Sequence, residues 1–352
     1  METSKNEDQE MVLRMARSLT APMGVSGREG GALTAAEEIL KKYGKVTRTA
    51  LGSLTACVNE GEEGAPHLLL EAHIDQIGLI VTRVEEDGFL RFSGVGGIDS
   101  RWLPAAPVTV HSARGDYPGI ISSVPPHLAG GEKKEIKMED LLIDTGFGTE
   151  AAKLLFQPGD VVTFRNSAQP LLGTRITGAA LEDRIGCVAV LMAAALINKA
   201  KPRNRVSVLL SSMEEVGGQG SLTGAFQVQP DYAIAVDVGF GDGYGAKPAE
   251  SGILGNGPQI GVAPILNRPL VERLRAVAKR EEIPWQHDIM NRDTGTDADE
   301  IALVGAGVRT ALLSIPEKSM HTVVETIDAM DVLNTARLMA ALAGEELGND
   351  EE

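Results

Sequence analysis

His67-Leu-Leu-Leu-Glu-Ala-His73 is a short, nearly continuous apolar run that ends on an imidazole, with Asp75 two residues further on. A run of that length without polar alternation predicts a strand covered on both faces, as in a parallel sheet between helices. Val206-Ser-Val-Leu-Leu-Ser-Ser212 repeats the pattern and opens onto Glu214, Glu215 and Val216-Gly-Gly218. Ile234-Ala-Val-Asp237 is a third such run, and Leu312-Leu-Ser-Ile-Pro316 a fourth. Working outward, periodicity predicts helices at 9–19, 32–43, 184–199, 269–280, 297–305 and 329–345, with strands at 46–49, 53–58, 67–72, 206–212, 232–237 and 309–314. After Asp75 the character changes. Ile77–Val84 and Phe89–Phe92 read as a hairpin around Asp87-Gly88. Short strands near 107–112, 118–122, 161–165 and 174–178 follow, broken by glycines and prolines, with a helical patch at 149–156. The simplest organisation is one α/β domain made of residues 1–75 and 170–352, interrupted by a β-rich domain at 76–169.

Composition narrows the function classes. The 352 residues with 43% hydrophobic content can build a sizeable core, and a formal net charge of -16 argues against polyanionic partners such as nucleic acid or an anionic membrane. Cys57 and Cys187 are the two cysteines, too few for a disulfide framework, so a reducing compartment fits. The polar, acidic start is unlike a secretory signal, and the most apolar helical stretch, Cys187–Ile197, is far shorter than the roughly 20 residues of a membrane span. These features point to a cytoplasmic protein. No internal repeat is evident, and the acidic tail ending at Glu352 reads as a solvated end.

The candidate chemistry gathers at strand ends, where the loops of open α/β sheets converge on ligands. His73, Glu182, Glu214, Glu215 and Asp237 lie at or just after predicted strand ends, and His321 follows the Leu312–Pro316 strand. The Glu214-Glu215 dipeptide is one of seven in the chain, so its position, not its composition, singles it out. Asp75 can hydrogen-bond one nitrogen of His73 and so orient it as a ligand. Asp237 is a charge ending an apolar strand, which demands pairing, capping or a metal. His67, His111, His127 and His287 lack an oriented acid beside them in sequence and are read as structural or exposed.

Ala72-His-Ile-Asp-Gln-Ile-Gly78, Ala180-Leu-Glu-Asp-Arg-Ile-Gly-Cys187, Met213-Glu-Glu-Val-Gly217, Ala235-Val-Asp237, Gly295-Thr-Asp-Ala298 and Ile315-Pro through His321 together resemble the dinuclear metallo-aminopeptidases of the tetrahedral-aminopeptidase family. That family includes glutamyl aminopeptidases and proteins once labelled endoglucanases. The resemblance runs in order over nearly the whole chain, from Gly24-Val-Ser-Gly-Arg-Glu29 onward. It implies a zinc-peptidase-like α/β/α catalytic domain with an inserted β-barrel dimerisation domain, and dimers assembling into a hollow dodecamer. It also implies two divalent ions per chain, zinc, cobalt or manganese, with His73, Asp237, Glu215 and His321 as terminal ligands and Glu182 at the bridging position. Glu214 becomes the proton carrier and Asp75 the partner of His73. The implied activity is removal of N-terminal residues from short peptides.

Departures surround this site. Glu182-Asp183 stands where the family has an Asp-Asp pair, and the extra methylene adds about 1.5 Å of reach. Bridging by Glu182, substitution by Asp183, and a weakened second ion are the three alternatives at that position. Gln76 replaces an acid, Lys318-Ser-Met320 replaces Arg-Tyr-Ile, and Thr322-Val323 replaces Ser-Pro. Two rivals accompany the peptidase reading: a glycosidase using Glu214 with a second carboxylate, for which 4% aromatic content offers few sugar platforms, and an inactive assembly subunit.

Overall fold

The computed structural model describes residues 2–125, 127–128 and 136–348. The acidic tail from Asn349 to Glu352 lies outside the described residues. An eight-stranded sheet runs in the order Val46–Arg48, Leu54–Asn59, Arg205–Ser211, His67–His73, Tyr232–Phe240, Arg309–Glu317, Gln259–Val262 and Gln286–Ile289. Its four central strands are parallel. Register sets Ser211 beside His73 and Ser314 beside Asp237, so their carboxyl ends deliver the candidate groups to one edge. The His67–His73 strand is buried along its whole length, as its unbroken apolar run predicts.

Helix Arg184–Ala200 packs across this sheet with a nearly complete apolar surface. Its first residue, Arg184, is fully buried and held by carbonyls at two of its nitrogens: Nε donates to Ile74 O at 3.1 Å, and Nη1 donates to Leu19 O at 2.9 Å and Pro22 O at 3.0 Å. The guanidinium thereby ties the loop after His73 to the start of that helix. Gly24 leaves the space it occupies, since a Cβ there would come within 2.1 Å of Nη2.

Between Gly78 and Phe164 the chain closes a six-stranded antiparallel barrel: Gly78–Val84, Leu90–Val95, Leu142–Asp144, Gly115–Ser122, Pro107–Ser112 and Val161–Phe164. Leu79, Leu90, Val108, Ile121, Ile143 and Val162 fill it as a core separate from that of the large sheet. The strand expected near 174–178 does not join this barrel. Arg175–Gly178 pairs instead with Gln169–Pro170 and Glu325–Asp328 in a small sheet leading back to the α/β layer.

Other expectations shift at their ends. Asp237 does not terminate its strand, because Tyr232–Phe240 stays paired with Arg309–Glu317 through Phe240. The helix expected at 297–305 ends at Ala302, before Gly305 and Gly307 at positive φ, and the closing helix spans Ala329–Leu342. Among the described residues no helix is long and apolar enough to cross a membrane.

Candidate metal centre

His73 ends its strand fully buried, with Nε2 2.9 Å from Glu182 Oε1 and Nδ1 3.4 Å from Asp75 Oδ1. Asp75 does more than face that imidazole. Its Oδ2 accepts from Ser26 Oγ at 2.6 Å and from the Glu215 amide at 3.2 Å, and its Oδ1 accepts from the Glu214 amide at 3.0 Å. One carboxylate therefore lies against the ring of His73 and fixes the backbone of the two adjacent glutamates. The turn that presents them needs unusual backbone: Met213, Gly217 and Gly218 all have positive φ.

Glu182 spans two imidazoles. While Oε1 faces His73, Oε2 lies 3.7 Å from His321 Nε2. The backbone amides of Leu181 and Glu182 both donate to Glu325 Oε2, at 2.7 and 3.2 Å, which anchors the loop, and the Glu182–Asp183 peptide is cis. Asp183 turns away to another task, its Oδ1 accepting from the Gly186 amide at 3.1 Å as the N-cap of helix Arg184–Ala200. His321 Nε2 is 3.2 Å from Glu215 Oε1. Its Nδ1 donates to Gly97 O at 3.0 Å, so a carbonyl from the barrel segment sets the ring so that Nε2 faces the acids. Ligand atoms of His73, Glu182 and Asp237 lie within 4.8 Å of one another, and the same holds for Glu182, Glu215 and His321. Glu182 is the one member common to both sets. Glu214 belongs to neither, though its Oε2 is 3.9 Å from His73 Nε2.

Without ions these charges strain against burial. Burial pushes the Glu214 carboxyl up to about 9, Glu215 up to about 7 and Asp237 up to about 8, with neighbouring acids adding to the shift and His73 opposing it. Burial disfavours charge on the imidazoles, but Glu182 and the other acids outweigh it and raise His73 well above the ordinary range and His321 to about 11. Burial also opposes charge on Glu182, yet the two histidines hold it below the carboxylate range. An acid-rich, largely buried set with two imidazoles fits divalent cations, which would remove the mutual repulsion of the carboxylates.

A pH dependence follows. Glu214, Glu215 and Asp237 bind protons more tightly folded than unfolded, so their contribution to stability is complete below about pH 4 and is lost as pH rises through about 7 to 9. The raised histidines act in the same direction. Chelator-treated protein is expected to melt about 5 °C or more lower at pH 8.5 than at pH 5.5, and metal-loaded protein to show a smaller drop. Calorimetric melting with and without chelator measures this, and parallel curves would refute it.

The remaining histidines do not join this centre. His67 is buried against Ser207 Oγ at 2.8 Å, His287 is exposed beside Arg275, and His127 is exposed. His111 meets an acid that does not flank it in sequence: hairpin pairing brings Asp116 Oδ1 within 2.8 Å of Nδ1, while Nε2 is 2.8 Å from Thr163 Oγ1.

Paired acids and imidazoles at the carboxyl edge of a parallel sheet define a metal-dependent hydrolase. The chain belongs to the M42 glutamyl aminopeptidase family, whose sequence model it matches over residues 52–338. It is 33% identical over 338 residues to the lysyl aminopeptidase of Pyrococcus furiosus, covering 94% of this chain and 96% of that one. Its fold is similar, with a TM-score of 0.90, to an aminopeptidase from the archaeon Desulfurococcus kamchatkensis, at 32% identity over 96% of this chain and 95% of that one. It also resembles the Pyrococcus horikoshii TET1 peptidase, described as able to assemble into a tetrahedron or a large octahedral shell, with a TM-score of 0.85 and 30% identity over 95% and 99% of the two chains. The protein is thus a metal-dependent aminopeptidase.

Sequence reasoning missed the barrel's share in this site. Gly96 has φ +78°, and a Cβ on it would lie 2.8 Å from Ile77 Cγ2 and 3.0 Å from Glu215 Oε2; one on Gly97 would lie 3.1 Å from His321 Nδ1. Val95-Gly-Gly97 is thus a close approach of backbone to the centre, signalled only by the glycine pair. Gly97→Val is expected to lower kcat/KM about 10–100-fold, the effect typical of disturbing a ligand's orienting partner. Steady-state kinetics with metal content measured in parallel checks it, and unchanged kinetics would count against the Gly97 contact.

Proposed function

We propose that the protein removes N-terminal residues from short peptides at a centre in which His73, Asp237, Glu215 and His321 are terminal ligands and Glu182 is shared by two divalent ions. The observation that carries this reading is Glu182, whose two oxygens face different imidazoles and which alone belongs to both ligand sets. Such ions, when bound, would supply Lewis acidity toward the scissile carbonyl and acidify a water toward neutrality, and zinc, cobalt and manganese all suit nitrogen and oxygen donors. Glu214 stands outside both sets and lines the adjoining cavity. Its carboxylate takes a proton from the attacking water and passes it to the leaving amine. Asp75 holds His73 in the tautomer and orientation that present Nε2, and fixes the turn that carries Glu214.

The proposed boundaries are residues 1–75 with 170–352 for the catalytic domain and 76–169 for an inserted domain that forms dimers. Exposed Ile120, Val124, Leu128 and Leu154 give this inserted segment an apolar surface suited to self-association, and the TET1 likeness supports a homo-oligomer reaching a tetrahedral dodecamer. A cytoplasmic setting agrees with the two unpaired cysteines.

The test is a panel of aminoacyl chromogenic substrates with the protein stripped by chelator and then reloaded with zinc or cobalt. Hydrolysis that disappears with chelator and returns with metal is expected. No turnover at two ions per chain would sink the reading. Fewer than one tightly bound ion would favour the inactive assembly subunit, and chelator-resistant hydrolysis of β-glucans the glycosidase.

A further inference from the structure

We propose that Asp288 selects basic N-terminal side chains, lysine or arginine, by placing an anionic group on the wall of the cavity that opens from the metal centre. This deepens the aminopeptidase reading and rests on it. The family description and the Pyrococcus furiosus relative name opposite charges, glutamyl and lysyl, so the choice falls to the cavity itself.

That cavity measures about 680 Å³, and Glu182, Glu214, Asp237 and His321 line it together with Asp288. A substrate whose scissile bond lies at the metal centre therefore has a continuous space for its first side chain. Leu312, Met320 and Ile289 also line it and suit the aliphatic stem of lysine or arginine, whose polar head then meets a different surface. Asp288 supplies that surface. It sits half-buried on the edge strand Gln286–Ile289, and its Oδ2 accepts from Ser314 Oγ at 3.0 Å. Ser314 is the register partner of Asp237, so the hydroxyl that holds Asp288 stands on the strand beside a candidate ligand.

Among the described residues no cation pairs with Asp288, and burial raises its pKa while the Ser314 bond opposes the rise. A carboxylate held that way is more stable with a cation opposite it. Beyond the groups of the metal centre, the other charges on the cavity are exposed: Arg292 and Asp293 are adjacent and of opposite sign, and Glu250 is engaged by Lys247 at 3.1 Å. Solvated rim charges contribute little to selection, so the half-buried one decides.

The experiment compares kcat/KM for lysyl, arginyl, leucyl and glutamyl p-nitroanilides on the metal-loaded protein, its D288N and D288E variants and, for the rim, R292A. Lysyl and arginyl substrates are expected to exceed leucyl by about tenfold or more, and glutamyl by more still. D288N should shrink the lysyl-to-leucyl ratio about tenfold, mainly through KM, and D288E should retain it. Equal or better use of leucyl or glutamyl substrate by the starting protein, or a uniform drop of all four in D288N, overturns the proposal. If none of the four is hydrolysed, the aminopeptidase reading itself fails. Calorimetric titration with lysinamide and leucinamide then still reads the cavity: preference for lysinamide that D288N abolishes upholds the role of Asp288, and equal binding removes it.

Discussion

Glu214→Gln is expected to lower kcat on aminoacyl substrates by about a thousandfold, inside the ~10²–10⁴ contribution of a positioned proton carrier, while bound metal stays at the starting level. Glutamine keeps the size of the side chain and loses the basic oxygen. The backbone has little reason to move, because the amides of both Glu214 and Glu215 are held by the two oxygens of Asp75. Glu215→Gln removes the same charge one residue away and is expected to behave differently. The Glu215 side chain is 4% exposed and meets His321, whereas that of Glu214 is 18% exposed and reaches toward His73 and the cavity. The second variant should therefore lose metal first and activity as a consequence, recovering part of it at high metal concentration. Metal analysis and kinetics on both proteins decide the matter. Full activity in Glu214→Gln would remove the base assignment, and equal metal loss in both would dissolve the division of labour between neighbours.

The parallel strands were legible because their apolar runs are short, unbroken and closed by ionisable residues, a combination that few other local structures produce. Helix Gln219–Val228 escaped because its start is glycine-rich and its apolar residues are few. The strands Gln259–Val262, Gln286–Ile289 and Leu142–Asp144 escaped because three or four residues carry too little periodicity. Most of the candidate ligands lie at or near the carboxyl ends of strands in the large sheet, and Glu182 lies in a loop after a strand of the small sheet, so their placement along the chain exposed them. Their supports show no such placement: Gly97 and His321 are 224 residues apart, and Glu325 reaches Leu181 across 144. No local pattern reports such a contact. Asp288 was hidden for the same reason, being one acid among 49 Asp and Glu until the cavity it shares with the metal centre singled it out.

Glu182→Ala should abolish activity and weaken retention of metal by at least about a hundredfold, more than the loss of an orienting partner alone, because it removes a ligand from both sets at once. Asp183 provides the contrast that makes this informative. It is equally buried, adjacent in sequence and acidic, yet one oxygen caps the helix that begins at Arg184. Asp183→Asn keeps that capping oxygen and removes a carboxyl whose pKa burial and Asp237 already hold well above the usual range. It should therefore retain as much metal as the starting protein. Asp183→Ala should likewise retain it but lose about 1 kcal/mol of stability with the cap. If Asp183→Asn sheds metal and Glu182→Ala does not, the bridging role passes to Asp183, and the longer side chain at 182 becomes a spacer between the histidines. If both shed metal, the two acids act as one unit, and the reach added by glutamate at 182 is taken up in sharing the ions with its neighbour. Metal stoichiometry on the three variants, read beside the melting temperatures of the two Asp183 variants after chelator treatment, separates these arrangements, because Asp183→Asn and Asp183→Ala both lack the carboxylate and differ in the cap.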